Sequence, residues 1–403
     1  MSPMFVPDSE AFDLDEFIEQ LSNELALRYR GAEDELIREL AVRVYRDLEL
    51  RELLPDETVA GGLTAVERRE QNRILGQLAV HRAQAIRELQ GISVAIVERL
   101  RRSGLAEEIV RVAAEEGEAA AAARLGLATR LPTVFQTGTS GQAVAALTIS
   151  LQSRLEVMNQ RITRYPQDAY QRIVSLTAPN TLLGVTTSLR QQQATVQRFL
   201  RSGITGFVDK SGRSWRIGSY AEMAGRTSVN RAFNDAGVWR MQQSGINLVT
   251  IVGGFDACSR CAPWIGKILS TDGSPAGPKI MQHATAERVT TVNVAGTVQQ
   301  ARNAGWGHPN DRCKQISYLP GLSIPQRDFE YDKQADEDRQ KQRELERDIR
   351  KAKRDLDIAP NAVSRKRAER DLREARAARR DFTARTGRPV QSHREQLHFA
   401  DGK

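Results

Sequence analysis

From Thr64 the chain reads TAVERREQNRILGQLAVHRAQAIRELQGISVAIVERLRRSG, and apolar residues return every three or four positions. Leu75, Ala79, Ile86, Leu89, Ile96 and Leu100 share one helical seam. Thr64 with Glu67 makes a capping box and Gly104 a stop, so the pattern predicts one helix of about 38 residues, about 57 Å long. A second seam runs through Val144, Leu147, Leu151, Leu155, Met158 and Ile162. It is expected to end before Pro166, and another helix is expected from Pro179 to about Leu200. Residues 1–202 thus read as a helical domain. Seams this long have to be covered by sibling helices or by another protein.

Near residue 203 the period changes. GITGFVDKSGRSWRIGSYAEM sets Phe207, Trp215 and Ile217 around the turn DKSG, the pattern of a β-hairpin. A helix is predicted from Ser219 to Ser244, with Ser219 and Glu222 as its capping box and Gly245 as its stop. INLVTIV reads as a short buried strand, with the stretch Val289 to Val294 as its expected partner. Residues 203–325 therefore read as a small α+β module. Residues 326–387 carry two narrow stripes, Leu345, Ile349, Ala352, Leu356 and Ala368, Leu372, Ala375, Phe382, separated by Pro360 and Asn361. That arrangement predicts an antiparallel helical hairpin, with 388–403 as a flexible tail. The fold class is mainly α, with one central α+β module.

Composition narrows the function classes. The 403 residues include 59 Lys and Arg against 51 Asp and Glu, a formal charge of +8 spread through segments of mixed sign. Such a mild excess permits contact with double-stranded DNA without demanding it. The acidic opening MSPMFVPDSEAFDLDEF has no basic or apolar region of a secretory signal, and no apolar run approaches the ~20 residues that span a bilayer. The expectation is a protein kept in a cytosol, with no membrane contact. Three cysteines in such a compartment argue against a disulfide framework and leave metal binding or inert thiols.

Two of those cysteines stand in DACSRCAPWIGKILS and the third in GWGHPNDRCKQISYLPG. Cys258, Cys261, His308 and Cys313 form a three-thiolate, one-imidazole set, which suits tetrahedral zinc. Four protein ligands leave no open coordination position, so a zinc there is structural rather than catalytic. The competing reading is three small buried residues with His308 hydrogen-bonded near the turn. Trp264 reads as a core ring covering the CxxC knuckle, and His81 as a flank of the long helix.

The order SYAEMAGRT, INLVTI, CSRCAPWIGKILS, GHPNDRC, YLPG, followed by RELERDIRKAKRDL and ARRDFTARTG, resembles the phage minor capsid protein 2 family, relatives of the MuF-like head-morphogenesis proteins. The likeness covers roughly residues 200–395; the N-terminal half matches in helical character. It implies a minor structural component of a phage head, present in few copies and multimeric within the virion. Its implied place is with the portal or major capsid protein in the capsid interior, after assembly in the host cytoplasm, with a part in head assembly, DNA packaging or delivery. In the family the second half reads HPNCRH or HPNCRC, so a cysteine is expected where this chain has Asp311. The resemblance implies Cys258, Cys261 and Cys313 as the core set, with His308 or Asp311 as the remaining ligand.

An enzyme is the alternative: a metal-dependent nuclease or toxin-like domain carried on a head protein, with His308 and Asn310 in a faintly HNH-like setting. That chemistry needs a second histidine as base. His283 is the nearest candidate, and its surroundings, KIMQHATAERV, supply no partner, so it reads as a loop or surface residue. Phosphate-loop, GxSxG and HExxH motifs are lacking.

Overall fold

Apolar spacing and caps of this kind produce long helices, and the computed structural model, which describes residues 14–55, 63–129, 141–177, 189–201, 205–208, 214–326 and 329–397, contains them. Helices α1 (Leu14–Glu52), α2 (Ala65–Arg102), α3 (Leu105–Thr129), α4 (Gly141–Thr177) and α5 (Leu189–Arg201) precede a two-stranded ribbon of β1 (Thr205–Val208) and β2 (Ser214–Arg216). Then come α6 (Ile217–Gln243), β3 (Leu248–Val252), β4 (Ile268–Ser270), β5 (Gly277–Gln282), β6 (Val289–Val294), β7 (Gly296–Thr297), α7 (Val298–Asn303) and β8 (Lys314–Ser317). The last helices are α8 (Lys333–Asp357) and α9 (Ala362–Thr386). The fold class read from the sequence is the one observed. The DKSG turn between β1 and β2, and the start of the helix expected at Pro179, lie outside the described residues.

The chain gathers into two compact units, each from three separate stretches: Met1–Ala26, Gly104–Leu155 and Ala221–Gln340 form one, and Leu27–Ser103, Glu156–Tyr220 and Lys341–Lys403 form the other.

In the second unit α2 opens with both halves of the Thr64–Glu67 capping box. Its buried seam is Ile74, Leu78, Ala85, Leu89 and Ile96. Leu75 and Ala79 are exposed instead, so the seam lies one residue before the expected one over the first turns. Two adjacent apolar residues, Ile74 and Leu75, fit either register; alternating steps of four and seven keep the observed one straight along a partner, and Ile74 and Leu78 pack with Leu50. Gly76 and Gly91 lie mid-helix on the outward side with nothing within 4 Å of an added Cβ. Changing either to alanine is expected to raise stability by about 0.5–1 kcal/mol, read as a shift in denaturant midpoint at unchanged slope.

Pro166 does not end α4, which continues to Thr177. Buried Leu151, Leu155, Met158 and Ile162 are followed in the same period by buried Pro166, Ala169 and Ile173, so burial carries the helix through one lost backbone bond. At the C-terminus Asn361 caps α9 by accepting from the Ser364 N–H at 2.9 Å, and Ile349, Ala352 and Leu372 pack with Leu356 and Ala375 as the hairpin requires. Gly387, at φ 67°, closes α9. Beyond it the chain doubles back. Gln342 donates to the Pro389 carbonyl, Arg379 pairs with Glu395 at 2.7 Å, and Arg394 and Glu395 are buried.

In the first unit, β3 is the centre of a sheet ordered β7-β4-β3-β8. Its partners are β4 and β8, both antiparallel, rather than Val289–Val294, which instead forms the β5–β6 hairpin. Three-residue β4 and four-residue β8 are too short to show a period of their own. Alternation then divides the faces of β3. Val249 and Ile251 join Leu269, Met241, Ala301 and Trp306 in one core, while Leu248 packs with Val292, Val294 and Tyr318. Helix α6 begins at Ile217, so Ser219 lies inside it and is no N-cap; Glu222 pairs with Arg226 instead, at 2.9 Å. Gly245, at φ 74°, ends it as expected. Where α3 meets α6, a Cβ on Gly117 would come within 2.2 Å of the Phe233 carbonyl oxygen, so that crossing demands glycine.

Candidate metal centre

Strand pairing brings the two halves of the cysteine set together. Val252, at the end of β3, pairs with Lys314, the first residue of β8, which places Cys313 beside the chain leading to Cys258. After Val252 the chain turns at once: Ala257 N–H donates to the Gly254 carbonyl, and the N–H groups of Cys261 and Ala262 both donate to the Cys258 carbonyl, each at 3.0 Å. This closes the CxxC knuckle. Trp264 packs against the core beneath it, as the sequence suggested. Gly253 has no room for a side chain, since a Cβ would lie 2.5 Å from Ile265 Cδ1 and 3.0 Å from Cys313 Sγ.

The other half turns tightly as well. Asp311 N–H donates to the His308 carbonyl at 2.9 Å, and Asn310 between them takes a left-handed φ of 69°. Asp311 then folds its carboxylate inward, where Oδ1 accepts from the Cys313 N–H at 2.9 Å and from the Cys261 thiol at 3.2 Å. Cys258 Sγ and His308 Nε2 are 3.0 Å apart. The ligand atoms of Cys258, Cys261 and His308 lie within 4.8 Å of one another, as do those of Cys261, Asp311 and Cys313. All five residues singled out from the sequence are therefore assembled, with Cys261 shared between the two triplets.

Three further residues, not found from the sequence, hold this arrangement. Thr227, Asn230 and Asn234 project from one side of α6. Asn230 Nδ2 donates to the carbonyls of Asp311 and Cys313, at 3.3 and 3.2 Å. Asn234 accepts from the Gln315 N–H at 2.8 Å, and Thr227 Oγ1 accepts from the Asn310 N–H at 3.3 Å. Nearby, Arg226 donates to Asn310 Oδ1 at 3.2 Å.

The protonation pattern follows from these contacts. The bond from Cys261, aided by His308, holds the Cys258 thiol down at about 3, so it is a thiolate. The same Cys258 contact raises His308 above its ordinary value. Cys261 is driven far up by its bonds to Cys258 and Cys313 and by burial. At Cys313 the Cys261 contact pulls downward, but burial and Asp311 together prevail and raise it. Binding a cation has to displace protons from Cys261 and Cys313, whose thiols are held above their ordinary values.

The donor set suits a borderline-soft cation: three sulfurs, an imidazole nitrogen, and a carboxylate oxygen, Asp311 Oδ2, that is buried without a hydrogen-bond partner. The cluster could hold a metal ion. A cavity of about 340 Å³ lies against it, lined also by Arg226, Asn310 and Arg312. The second histidine of the nuclease reading does not join. His283 lies in the loop after β5, as read, but is buried rather than at the surface, packed against Gly321 and accepting from the Thr285 N–H at 3.2 Å, and it belongs to neither triplet. His81 Nε2 meets the Arg43 carbonyl at 3.0 Å and is structural.

A family model described as phage minor capsid protein 2 matches residues 15–384, nearly the whole chain. The chain belongs to the phage minor capsid protein 2 family. No curated protein and no solved structure compared with it matches. As a phage minor capsid protein it is a structural component of the virion that interacts with other virion proteins. The family match takes in the N-terminal helices, where the sequence offered only helical character, as well as the knuckle. Among the described residues no helix is long and apolar enough to cross a membrane.

Proposed function

We propose that this phage minor capsid protein sits at the portal or on the inner face of the capsid, in several copies, and assists head assembly, DNA packaging or delivery. The family match across residues 15–384 carries this reading. Supporting it, α2 leaves Val66, Val80 and Val94 exposed on the side opposite its buried seam, a surface suited to a helix of another virion protein. Cys258, Cys261, Cys313 and His308 would hold a zinc ion, with Asp311 accepting hydrogen bonds at its edge. The zinc would supply cross-linking of two loops rather than chemistry on a substrate. Mass spectrometry of purified procapsids and virions tests the placement: a fixed substoichiometric amount relative to the major shell protein is expected, and absence from both particles overturns it.

Contact with packaged DNA belongs to the same reading. On the outward side of α9, Lys366, Arg373 and Arg380 recur every seven residues and are exposed, opposite buried Ala368, Leu372 and Phe382. Such a row meets phosphates without reading bases. Changing all three to alanine is expected to weaken duplex binding for every sequence alike and to flatten the slope of log affinity against log salt by about 3. A slope identical to wild type in gel-shift titrations would remove α9 from the contact.

A further inference from the structure

A second cavity, of about 500 Å³, lies against α6 and the turn that follows α7, and guanidinium groups gather around it. Arg302 pairs with Asp235 at 2.6 Å, and its Cζ lies 6.0 Å from the centroid of the Trp306 ring. Arg231, exposed on α6, lines the same cavity, and its hydrogen bond among the described residues, to the Gly307 carbonyl, is stretched to 3.5 Å. Although the residue as a whole is exposed, partial burial of its head group against the cavity wall, then Arg154 on α4 and Arg302, push the Arg231 guanidinium below its ordinary value, while Asp235 pulls the other way. Two carboxylates line the cavity. Asp235 is engaged by Arg302, and Asp311 is turned into the cysteine cluster by the Cys313 N–H and the Cys261 thiol. Arg231 therefore faces the cavity with neighbours of its own sign and no carboxylate partner among the described residues.

Arg231 and Arg302 both line the cavity, and the carboxylate that faces them, Asp235, is already held by Arg302, so this is a place where an anion lowers the energy of the protein itself by relieving repulsion already present. Guanidiniums offer planar pairs of N–H donors that match tetrahedral oxyanions two oxygens at a time, and this geometry favours phosphate over a spherical halide. We propose that this cavity is a phosphate-binding site anchored by Arg231, with Arg302 as the flanking cation. Its ligand class is a phosphate group, carried either by a small phosphate compound or by the backbone of nucleic acid. The site is distinct from the row on α9 and stands whether or not that row touches DNA.

The test uses the full-length protein at constant ionic strength, with inorganic phosphate exchanged for chloride and thermal unfolding as the readout. Phosphate is expected to raise Tm where chloride does not. Arg231→Gln, at an exposed position, is expected to weaken the apparent phosphate affinity on the order of tenfold or more, whereas Asp235→Asn, which frees Arg302, is expected to tighten it. A labelled short duplex, followed by anisotropy with the same variants, separates the sources. Parallel losses for phosphate and duplex in Arg231→Gln assign the site to nucleic acid, and loss for phosphate alone assigns it to a small ligand. Equal Tm in phosphate and chloride, or an Arg231→Gln protein that responds as wild type does, overturns the proposal.

Discussion

Replacing Cys261 with serine is expected to abolish the metal binding proposed for the cluster and to melt much of the unit that contains the knuckle. Cys261 belongs to both triplets of donors and is only 2 % exposed, so no other group can take its place. Structural zinc contributes on the order of 10–16 kcal/mol to small fingers that lack a core. Here Val249, Ile251, Leu269 and Trp306 already form a core beside the site, so the expected loss is smaller, on the order of several kcal/mol. A cluster that binds no metal gives a different answer. Exchanging a buried thiol for a hydroxyl, with its hydrogen bonds kept, then costs about 1–2 kcal/mol. Elemental analysis of wild type and variant, with melts in the presence and absence of chelator, separates the two. One zinc per chain and a chelator-sensitive melt that the variant no longer shows are expected. A melt indifferent to chelator would sink the metal reading. Metal retention should also weaken as pH falls, because His308, Cys261 and Cys313 are held above their ordinary values and each must shed its proton to bind.

Gly266→Ala is expected to cost about 2–5 kcal/mol, combining the left-handed backbone penalty with overpacking. Gly266 has φ 77° and donates its N–H to the Ile251 carbonyl at 2.8 Å, and an added Cβ would fall 1.8 Å from the carbonyl oxygen of Gln326. That oxygen cannot swing aside cheaply. The Gln326 side chain clasps Gly253 from both directions, donating to its carbonyl and accepting from its N–H, each at 3.3 Å. Pushing this strap away disturbs the chain directly before the knuckle. Gly254→Ala is the control, because the nearest atom to its Cβ is Asp256 Oδ1 at 3.4 Å and its backbone is not left-handed. It should change stability by no more than about 0.5 kcal/mol, measured by the same denaturant titration.

How much of this could be read beforehand depended on whether the signal was local. The Thr64–Glu67 box, the stop at Gly245 and the hairpin around Asn361 are written within a few residues and were legible. The register of α2 was not, because Ile74 and Leu75 fit a helical stripe equally well and only the partner surface chooses. Pro166 misled for the opposite reason: its local penalty is real, but buried residues on both sides outweigh it. Strand pairing was illegible where strands of three or four residues carry no period. The five cluster residues were found because cysteine and histidine are scarce in this chain and chemically marked. Thr227, Asn230 and Asn234 had a fainter mark: polar residues at three- and four-residue spacing on a helix otherwise buried, which physically require partners. Arg394 and Glu395, buried against α8 and α9, had none, since a charged residue near a chain end reads as solvated.

Each compact unit is stitched from distant stretches, and this has a consequence for biosynthesis. Buried Arg354 donates to Asp34 from Nε at 2.9 Å and from Nη2 at 2.6 Å, across 320 residues. A ribosome needs on the order of tens of seconds to add that many residues, and Asp34 has to wait that long for its counter-ion. A chain released before Arg354 is made never completes this buried ion pair.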